Sequence, residues 1–533
     1  MNLRRLEERL AAGAAALAGA AGWRWRLAAF AAGLGAALAQ APFYALPLMA
    51  AGYCAFIFLL DGARSSPRPA RSGFLIGWFF GFGYFLLGLY WFGYAFMVQA
   101  EEFAWMAPFA VLGMPAFLGL FTGAAGAAIA RARVRGARRV FFAAGVLMIA
   151  EYLRGHILTG LPWNLPGQAL AGTAMGAQSA AWWGVYGLSL VALLIAMAPA
   201  AGRSILKGAG LMLAATATLY AAGALRLKIN PYTEYNDAAV RIVQPNIPQR
   251  EKIDGDLWSR NYARHIDLSS APGPSSGVLF VLWPENAVPV IDEVPEGLAE
   301  ISRRLPKNAV LLSGAVRRQT GADGREKVYN SIAVVPETPA GRTVVANYDK
   351  HHLVPFGEYL PMSGLLRALG LAQLAPYDEG FAFGDGPKTL SAGGPPFAAL
   401  ICYEAIFPGR VYPPGERPAW IATVTNDGWF GDSSGPRQHL DQARLRTIET
   451  GLPMARSANT GVSALFDGAG RLIARVPLYR TGVIDRPLPR PLSAPLYQRV
   501  GDSLFWFMMA AVFAFSVRPP KRLQKMLYNL CAS

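Results

Sequence analysis

The sequence predicts a polytopic α-helical membrane bundle of about eight spans that carries a large α/β domain outside the bilayer. Three observations predict it. Hydrophobic residues make up 53% of the chain and charged residues 16%, against about 25% charged in ordinary soluble domains, and the mean hydropathy is +0.27. Through Leu225 the acidic residues are Glu7, Glu8, Asp61, Glu101, Glu102 and Glu151, scattered among long apolar stretches. Residues 238–486 lose that character and alternate short apolar runs with helix-like segments.

Candidate spans lie at roughly 25–41, 43–60, 73–97, 104–130, 139–156, 175–198 and 204–225, with an eighth at Leu504–Val517. Each approaches the ~20 residues that cross ~30 Å of hydrocarbon. The basic residues fix the orientation, because short cytoplasmic loops collect Arg and Lys. Arg4, Arg5, Arg9, Arg24 and Arg26 precede the first span, and Arg64, Arg68 and Arg71 follow the second. Arg131, Arg133, Arg135, Arg138 and Arg139 follow the fourth, Arg203 and Lys207 the sixth, and Arg518, Lys521, Arg522 and Lys525 the last. The third exits instead into Gln99-Ala100-Glu101-Glu102. Both termini are thus expected in the cytoplasm and the α/β domain outside. The expected division is a bundle over 1–227, a catalytic domain over 238–486, a terminal span over 503–518 and a basic tail over 519–533. A cleaved signal peptide ending at Ala37-Leu38-Ala39 fits poorly with basic residues reaching Arg26 and a second span close behind.

The net charge of +16 does not point to nucleic acid, since the basic residues cap apolar runs instead of clustering on a soluble face. Cys54, Cys402 and Cys531 are too dispersed for a disulfide framework or a CxxC metal pair. His156, His265, His351, His352 and His439 show no metal-ligand spacing, so no metal is expected.

Inside the bundle, Gly77 and Gly81 form a GxxxG among aromatic residues, which lets a neighbouring helix approach closely. Glu151 and Arg154 share one helical face at the outer end of the fifth span, just before Gly160-Leu161-Pro162-Trp163-Asn164. Two readings stay open. An intramembrane charge pair is a functional site by default, with Arg154 and Trp163 holding a lipid head group; the alternative is a structural ion pair.

In the α/β part, strands are expected at Val240–Gln244, Val278–Trp283, Val310–Ser313, Tyr329–Val335, Thr343–Tyr348, Phe397–Cys402, Ile421–Asn426, Ser463–Phe466 and Arg471–Arg475, with helices near 256–269, 296–304 and 437–450. Such alternation predicts a layered α/β fold with a buried sheet. A long insertion between Leu353 and Gly394 carries Leu360, Leu365, Leu366, Leu369, Leu371 and Leu374. Loops of that length are usually functional, and these leucines either dip into a membrane interface or pack on the domain.

Three residues at expected strand ends bear chemistry: Glu285 in Trp283-Pro284-Glu285, Lys350 in Asn347-Tyr348-Asp349-Lys350, and Cys402 after Phe397–Ile401. Alone, each has an ordinary reading as a core thiol or a solvated charge. Together they supply what acyl transfer through a thiol needs. A carboxylate takes the thiol proton; an ammonium and the backbone N–H after Cys402 stabilise thiolate and oxyanion.

The ordered motifs Trp-Pro-Glu, Asp-Lys-x-x-Leu-Val-Pro-Phe-Gly-Glu (349–358), Ile-Cys-Tyr-Glu (401–404) and Thr425-Asn426-Asp427-Gly428-Trp429-Phe430-Gly431 resemble the nitrilase, or carbon–nitrogen hydrolase, superfamily. With seven spans before them and one after, and with Glu151-x-x-Arg154-Gly155 and Gln244-Pro245-Asn246-Ile247-Pro248-Gln249, the whole chain resembles the bacterial apolipoprotein N-acyltransferase family. The resemblance implies an αββα sandwich facing the periplasm in a multi-pass inner-membrane enzyme. It implies catalytic Glu285, Lys350 and Cys402, supported by Glu358, Tyr403 and Glu404, with Arg154, Trp163, Asn426 and Trp429 as candidate substrate contacts. An acyl chain would pass from a membrane phospholipid to a Cys402 thioester and then to the diacylglyceryl-cysteine of an apolipoprotein, without cofactor or metal and in a monomer. Two positions depart from the family: Ile253 where an aromatic is common, and Asn286 where a small residue is commoner. A membrane-tethered amidase or nitrilase would use the same three residues but needs no bundle. A transporter would carry more intramembrane charge.

Overall fold

The computed structural model describes residues 3–132, 134–202, 204–273, 277–288, 295–320, 324–339, 341–361, 380–409 and 411–516. The chain forms two compact units. One comprises the described parts of Met1–Tyr90, Phe109–Gly223 and Val500–Ser533; the other comprises Trp91–Pro108 and Ala224–Arg499.

The first unit is helical: α1 (Leu3–Ala18), α2 (Arg24–Ala37), α3 (Leu46–Arg64), α4 (Pro69–Leu89), α5 (Ala107–Ala132), α6 (Arg138–Arg154), α7 (Ala180–Met197), α8 (Ile205–Ile229) and α9 (Ser503–Ser516). A helix lies within every expected span, but among the described residues five segments are long and apolar enough to cross a membrane: Leu46–Arg64, Pro69–Leu89, Ala100–Ala132, Ala180–Ala200 and Ile205–Ile229. The expected count of eight stands unconfirmed, because α2 has 14 residues and α6 has 17, fewer than the ~20 that span hydrocarbon unaided, while the described part of α9 covers 14. The basic N-terminal tail is itself helical. Within α1, Glu7 accepts hydrogen bonds from the Ile205 and Leu206 N–H groups at 2.7 and 3.0 Å. A carboxylate from one helix thereby caps the positive end of another. Gly77 and Gly81 seat α4 on Thr122 of α5, leaving no space there for a Cβ.

The second unit stacks two sheets. Its strands are β1 (Glu234–Gln244), β2 (Val278–Val288), β3 (Ala309–Thr320), β4 (Glu326–Thr338), β5 (Gly341–Arg342), β6 (Ala346–Asp349), β7 (Thr389–Leu390), β8 (Phe397–Ile401), β9 (Trp420–Thr425), β10 (Met454–Ala458), β11 (Ser463–Phe466), β12 (Leu472–Val476) and β13 (Gly482–Pro489). One sheet runs β13-β1-β2-β3-β4-β5 with β6 also on β4, and the other β12-β11-β10-β9-β8-β7. Each holds a parallel trio, β1-β2-β3 and β8-β9-β10.

Side chains alternate across strands, and that alternation builds three apolar layers. Val240, Ile242, Phe280, Leu282, Ile332 and Val334 of the first sheet meet Phe397, Ile401, Trp420 and Val424 of the second, with the Phe280 and Trp420 rings 5.0 Å apart. On the far face of the first sheet, Val243, Leu279, Val281 and Leu311 pack under Tyr262 and Ile266 of the helix Trp258–Ser269 and Ile301 of Pro295–Arg304. On the far face of the second, Ala398, Leu400 and Met454 pack under Ala443 of Gly435–Thr450. The order is helix, sheet, sheet, helix, as the resemblance implies.

Several elements differ from expectation. The run expected as Thr343–Tyr348 splits into β5 and β6. β10 and β13 were not expected: Met-Ala-Arg-Ser-Ala lacks an apolar alternation because it is buried on both faces, and β13 contains prolines at positions 487 and 489, residues ordinarily confined to sheet edges. β13 is the edge strand of its sheet. Leu365, Leu366, Leu369, Leu371 and Leu374, Cys531 and the tail 519–533 lie outside the described residues.

Candidate active site

Glu285 lies where β2 leaves its regular pairing, the register with β3 jumping between Trp283 and Val288. Gly314 on β3 permits this: a Cβ there would overlap the Pro284 carbonyl and the Glu285 backbone. The next residue, Asn286, has φ 48°. Asn is among the few residues that tolerate left-handed backbone, which gives its departure from the family pattern a local physical reason. Ile253, the other departure, is 48% exposed.

Lys350 follows β6, and its Nζ is 2.9 Å from Glu358 Oε1 and 3.4 Å from Glu285 Oε1. The Asn330 amide Nδ2 donates to both of those oxygens at 2.8 Å. Burial disfavours the Lys350 ammonium, but Glu358 and then Glu285 outweigh it and hold the group firmly protonated. Glu358 Oε2 also accepts from the Val354 N–H at 2.8 Å, tying the loop after Lys350 to the ion cluster. Sequence reasoning missed Asn330; a lone amide among the apolar residues of an expected strand is its only signal there.

Cys402 ends β8 and turns sharply, with φ 49°. Non-glycine residues held in such backbone cost ~1–3 kcal/mol and concentrate at functional sites. The thiol is 8% exposed. Burial, followed by Glu285, pushes it up to about 12, while Lys350 pulls the other way. A nearby ammonium does lower this thiol, as expected, but burial and Glu285 outweigh it, and the resting group is the protonated thiol. A base must remove that proton when the reaction begins.

Glu404 braces the loops that hold Lys350 and Cys402. Its carboxylate accepts from the Ile401 N–H at 2.8 Å, the His351 N–H at 2.9 Å, the His352 N–H at 3.2 Å and the Tyr348 hydroxyl at 2.9 Å. Burial works against its ionised form, yet His351 and those donors hold it below the usual carboxylate range. Tyr403 packs edge-on against Phe407, with ring centroids 5.1 Å apart, and near His352.

Behind the nucleophile lies a buried group that sequence reasoning also missed. His439 Nε2 is 3.0 Å from the Cys402 carbonyl oxygen, and its Nδ1 is 2.8 Å from Asp427 and 3.1 Å from Arg456. Burial and Arg456 push the imidazole down, while its two acceptor neighbours, the Asp427 carboxylate at Nδ1 and the Cys402 carbonyl at Nε2, oppose that shift. Burial disfavours charge on Asp427, but Arg456 and His439 hold its carboxyl down at about 2. This chain of contacts grips the strained turn from its carbonyl side. His439 was considered in the sequence only as a metal ligand.

The candidate substrate contacts divide. Asn426 Nδ2 donates to Gln249 Oε1 at 2.8 Å, and its Oδ1 accepts from Gly428 N–H and Asn459 Nδ2 at 3.3 Å, so its amide ties loops together. Trp429 is 37% exposed. Arg154 and Trp163 belong to the helical unit and are buried there. The Arg154 guanidinium contacts the Glu151 carboxylate and the Leu161 carbonyl and lies 4.9 Å from the Phe85 ring centroid. Those contacts favour the structural ion pair.

Comparison with known proteins covers both halves of the chain. Residues 32–198 match the family model for the apolipoprotein N-acyltransferase N-terminal domain, and residues 239–497 match that for carbon-nitrogen hydrolase. A carbon–nitrogen hydrolase superfamily protein of Xanthomonas campestris is similar at 17% identity and a TM-score of 0.32, covering 51% of this chain and 97% of that one. An apolipoprotein N-acyltransferase of Rhodopseudomonas palustris is 40% identical over 524 residues, 94% of this chain and 96% of that protein. Its counterpart in Bradyrhizobium diazoefficiens is 42% identical over 515 residues, 93% of this chain and 95% of that protein. Since likeness at that level runs through the helical unit and the sandwich alike, the chain belongs to the apolipoprotein N-acyltransferase family.

Proposed function

We propose that this protein N-acylates the N-terminal diacylglyceryl-cysteine of apolipoproteins, moving an acyl chain from a membrane phospholipid through a thioester on Cys402. One observation carries the reading: a thiol, a carboxylate and an ammonium gather at the ends of β8, β2 and β6 in a chain whose other unit is a bundle of apolar helices. A hydrolase of soluble amides has no use for that bundle. The protein acts as a multi-pass monomer of the bacterial inner membrane, with 1–227 and 503–518 as its membrane parts, 238–486 as its catalytic domain in the periplasm and 519–533 as a cytoplasmic tail. The orientation rests on the arginine-rich loops.

Glu285 takes the Cys402 proton as sulfur attacks the ester carbonyl. Lys350 faces the oxyanion, and the protonated Glu285 then gives its proton to the departing glycerol oxygen, leaving lysophospholipid and a thioester. In the second half Glu285 accepts a proton from the incoming ammonium, the free amine attacks the thioester, and the thiol is regenerated. Glu358, Asn330, Glu404 and His439 position these groups.

The test is intact-mass measurement of purified protein after exposure to phospholipid. One acyl adduct, released by hydroxylamine and transferred to a diacylated lipopeptide, is the expected result. Ammonia release from small amides without an adduct would establish the tethered amidase instead. For orientation, a membrane-impermeant thiol reagent should label Cys402 in cells whose outer membrane alone is permeable. Labelling confined to cells with a lysed inner membrane would reverse the assigned topology.

A further inference from the structure

Lys350 is surrounded by more negative charge than it balances. Glu285 and Glu358 both contact its ammonium, so one cation against two carboxylates leaves the trio one charge negative. A second anion at Cys402, whether thiolate or tetrahedral oxyanion, would form beside that excess. A further cation is present. Lys252, on the short helix Gln249–Ile253, reaches across to donate its Nζ to the Glu285 backbone carbonyl. Among the described residues this is the only hydrogen-bond partner of its ammonium, leaving two N–H groups for a ligand.

We propose that Lys252 is a second cation of the acyl-transfer site, one that neutralises the Lys350–Glu285–Glu358 cluster and stabilises the thiolate and oxyanion formed at Cys402. This rests on the proposed function above and adds a residue to it. The neighbouring charges on Lys252's own helix are engaged elsewhere: Arg250 pairs with Glu101, and Glu251 with Arg260. From the packed elements Lys252 faces Glu285 and Cys402, and beyond them Lys350, Glu358 and Glu404. His265 also lies near, and burial, with Lys252 adding to it, pushes that imidazole down to about 4, so it stays neutral at working pH. Burial pulls the Lys252 ammonium down to about 8, with Glu285 and Cys402 opposing it. The cation is therefore present at neutral pH and disappears as pH rises through that value, whereas Lys350 keeps its charge.

The test measures the rate of acyl-enzyme formation from phospholipid vesicles, read by intact mass, across neutral to alkaline pH for the full-length wild type, Lys252→Met and Lys252→Arg. Wild-type acylation should fall as pH rises through about 8. Lys252→Met should acylate about 10²-fold more slowly at neutral pH, the loss typical for one donor to a developing oxyanion. Lys252→Arg should lack the alkaline decline, because a guanidinium does not titrate there. Alkylation of Cys402 by iodoacetamide, followed by peptide mass, should slow in Lys252→Met without involving the lipid. Wild-type rates in Lys252→Met, or the same alkaline limb in wild type and Lys252→Arg, would overturn the proposal while leaving the proposed function intact. If Lys252→Met does not fold, the Arg comparison decides alone. A wild type that forms no acyl adduct removes the proposed function itself.

Discussion

Cys402→Ala should abolish acyl-enzyme formation and lipopeptide N-acylation together, leaving no product above the uncatalysed background. Sulfur is the only atom of that side chain able to hold the acyl group. Among the described residues the other thiol, Cys54, donates to the Ala196 carbonyl within the helical unit. The fold should hardly notice. Alanine keeps the Cβ and inherits the same left-handed backbone, while His439 still grips the carbonyl of residue 402. A change in stability under about 1 kcal/mol is expected for removing one small side-chain atom. Cys402→Ser separates nucleophile chemistry from geometry further, since an alkoxide is far harder to form than a thiolate and the oxygen ester, once made, is a poorer acyl donor. Intact mass after incubation with phospholipid, N-acylation of a diacylated lipopeptide and a thermal melt check all three points. Product from Cys402→Ala above background would mean that the amine attacks phospholipid directly and that no thioester lies on the path.

What the sequence disclosed about this molecule follows from what its patterns encode. Apolar length and arginine placement are one-dimensional properties, so each expected span contains a helix. The count of eight spans stands unconfirmed, because the helical cores of α2 and α6 have 14 and 17 residues although the apolar composition runs further. Strands with strong Val, Ile and Leu content were legible, and β10 and β13 were not, because Arg456, Ser457 and the prolines of β13 hide them. Arg456 sits in an interior strand because Asp427 neutralises it at 2.9 Å, a partner 29 residues away. The same reason hid the rest of the site. Glu285, Lys350 and Cys402 announce themselves by residue type beside short motifs, whereas Asn330, His439 and Lys252 act through partners remote in sequence. Only folding brings Asn330 between two carboxylates or places His439 under the Cys402 carbonyl.

Glu285→Gln should impair both halves of the reaction, and the structure sets the terms. The substitution is nearly isosteric, and Asn330 can still donate to the amide oxygen at the position it now serves. Lys350 keeps Glu358 at 2.9 Å, so its ammonium remains placed and charged. Two effects then oppose each other at Cys402. Loss of the Glu285 charge relieves part of what pushes the thiol up to about 12, leaving Lys350 to favour the thiolate. Loss of the base removes the group that accepts its proton, and general-base catalysis contributes about 10²–10⁴-fold. Burial remains the largest influence on the thiol, so relief from one charge does not bring it into the neutral range and the missing base dominates. Acylation should slow by about 10²–10⁴-fold. The second half isolates the base from the thiol altogether, because the thioester sulfur carries no proton. Loading Glu285→Gln with acyl chain over a long incubation, removing phospholipid and adding a diacylated lipopeptide gives the discharge rate directly. That rate should also fall, and raising the pH should restore it as the acceptor amine deprotonates unaided. Normal discharge at neutral pH would remove Glu285 from the second step and assign that proton to Glu358 or to the acceptor itself; repeating the measurement with Glu358→Gln tells those two apart.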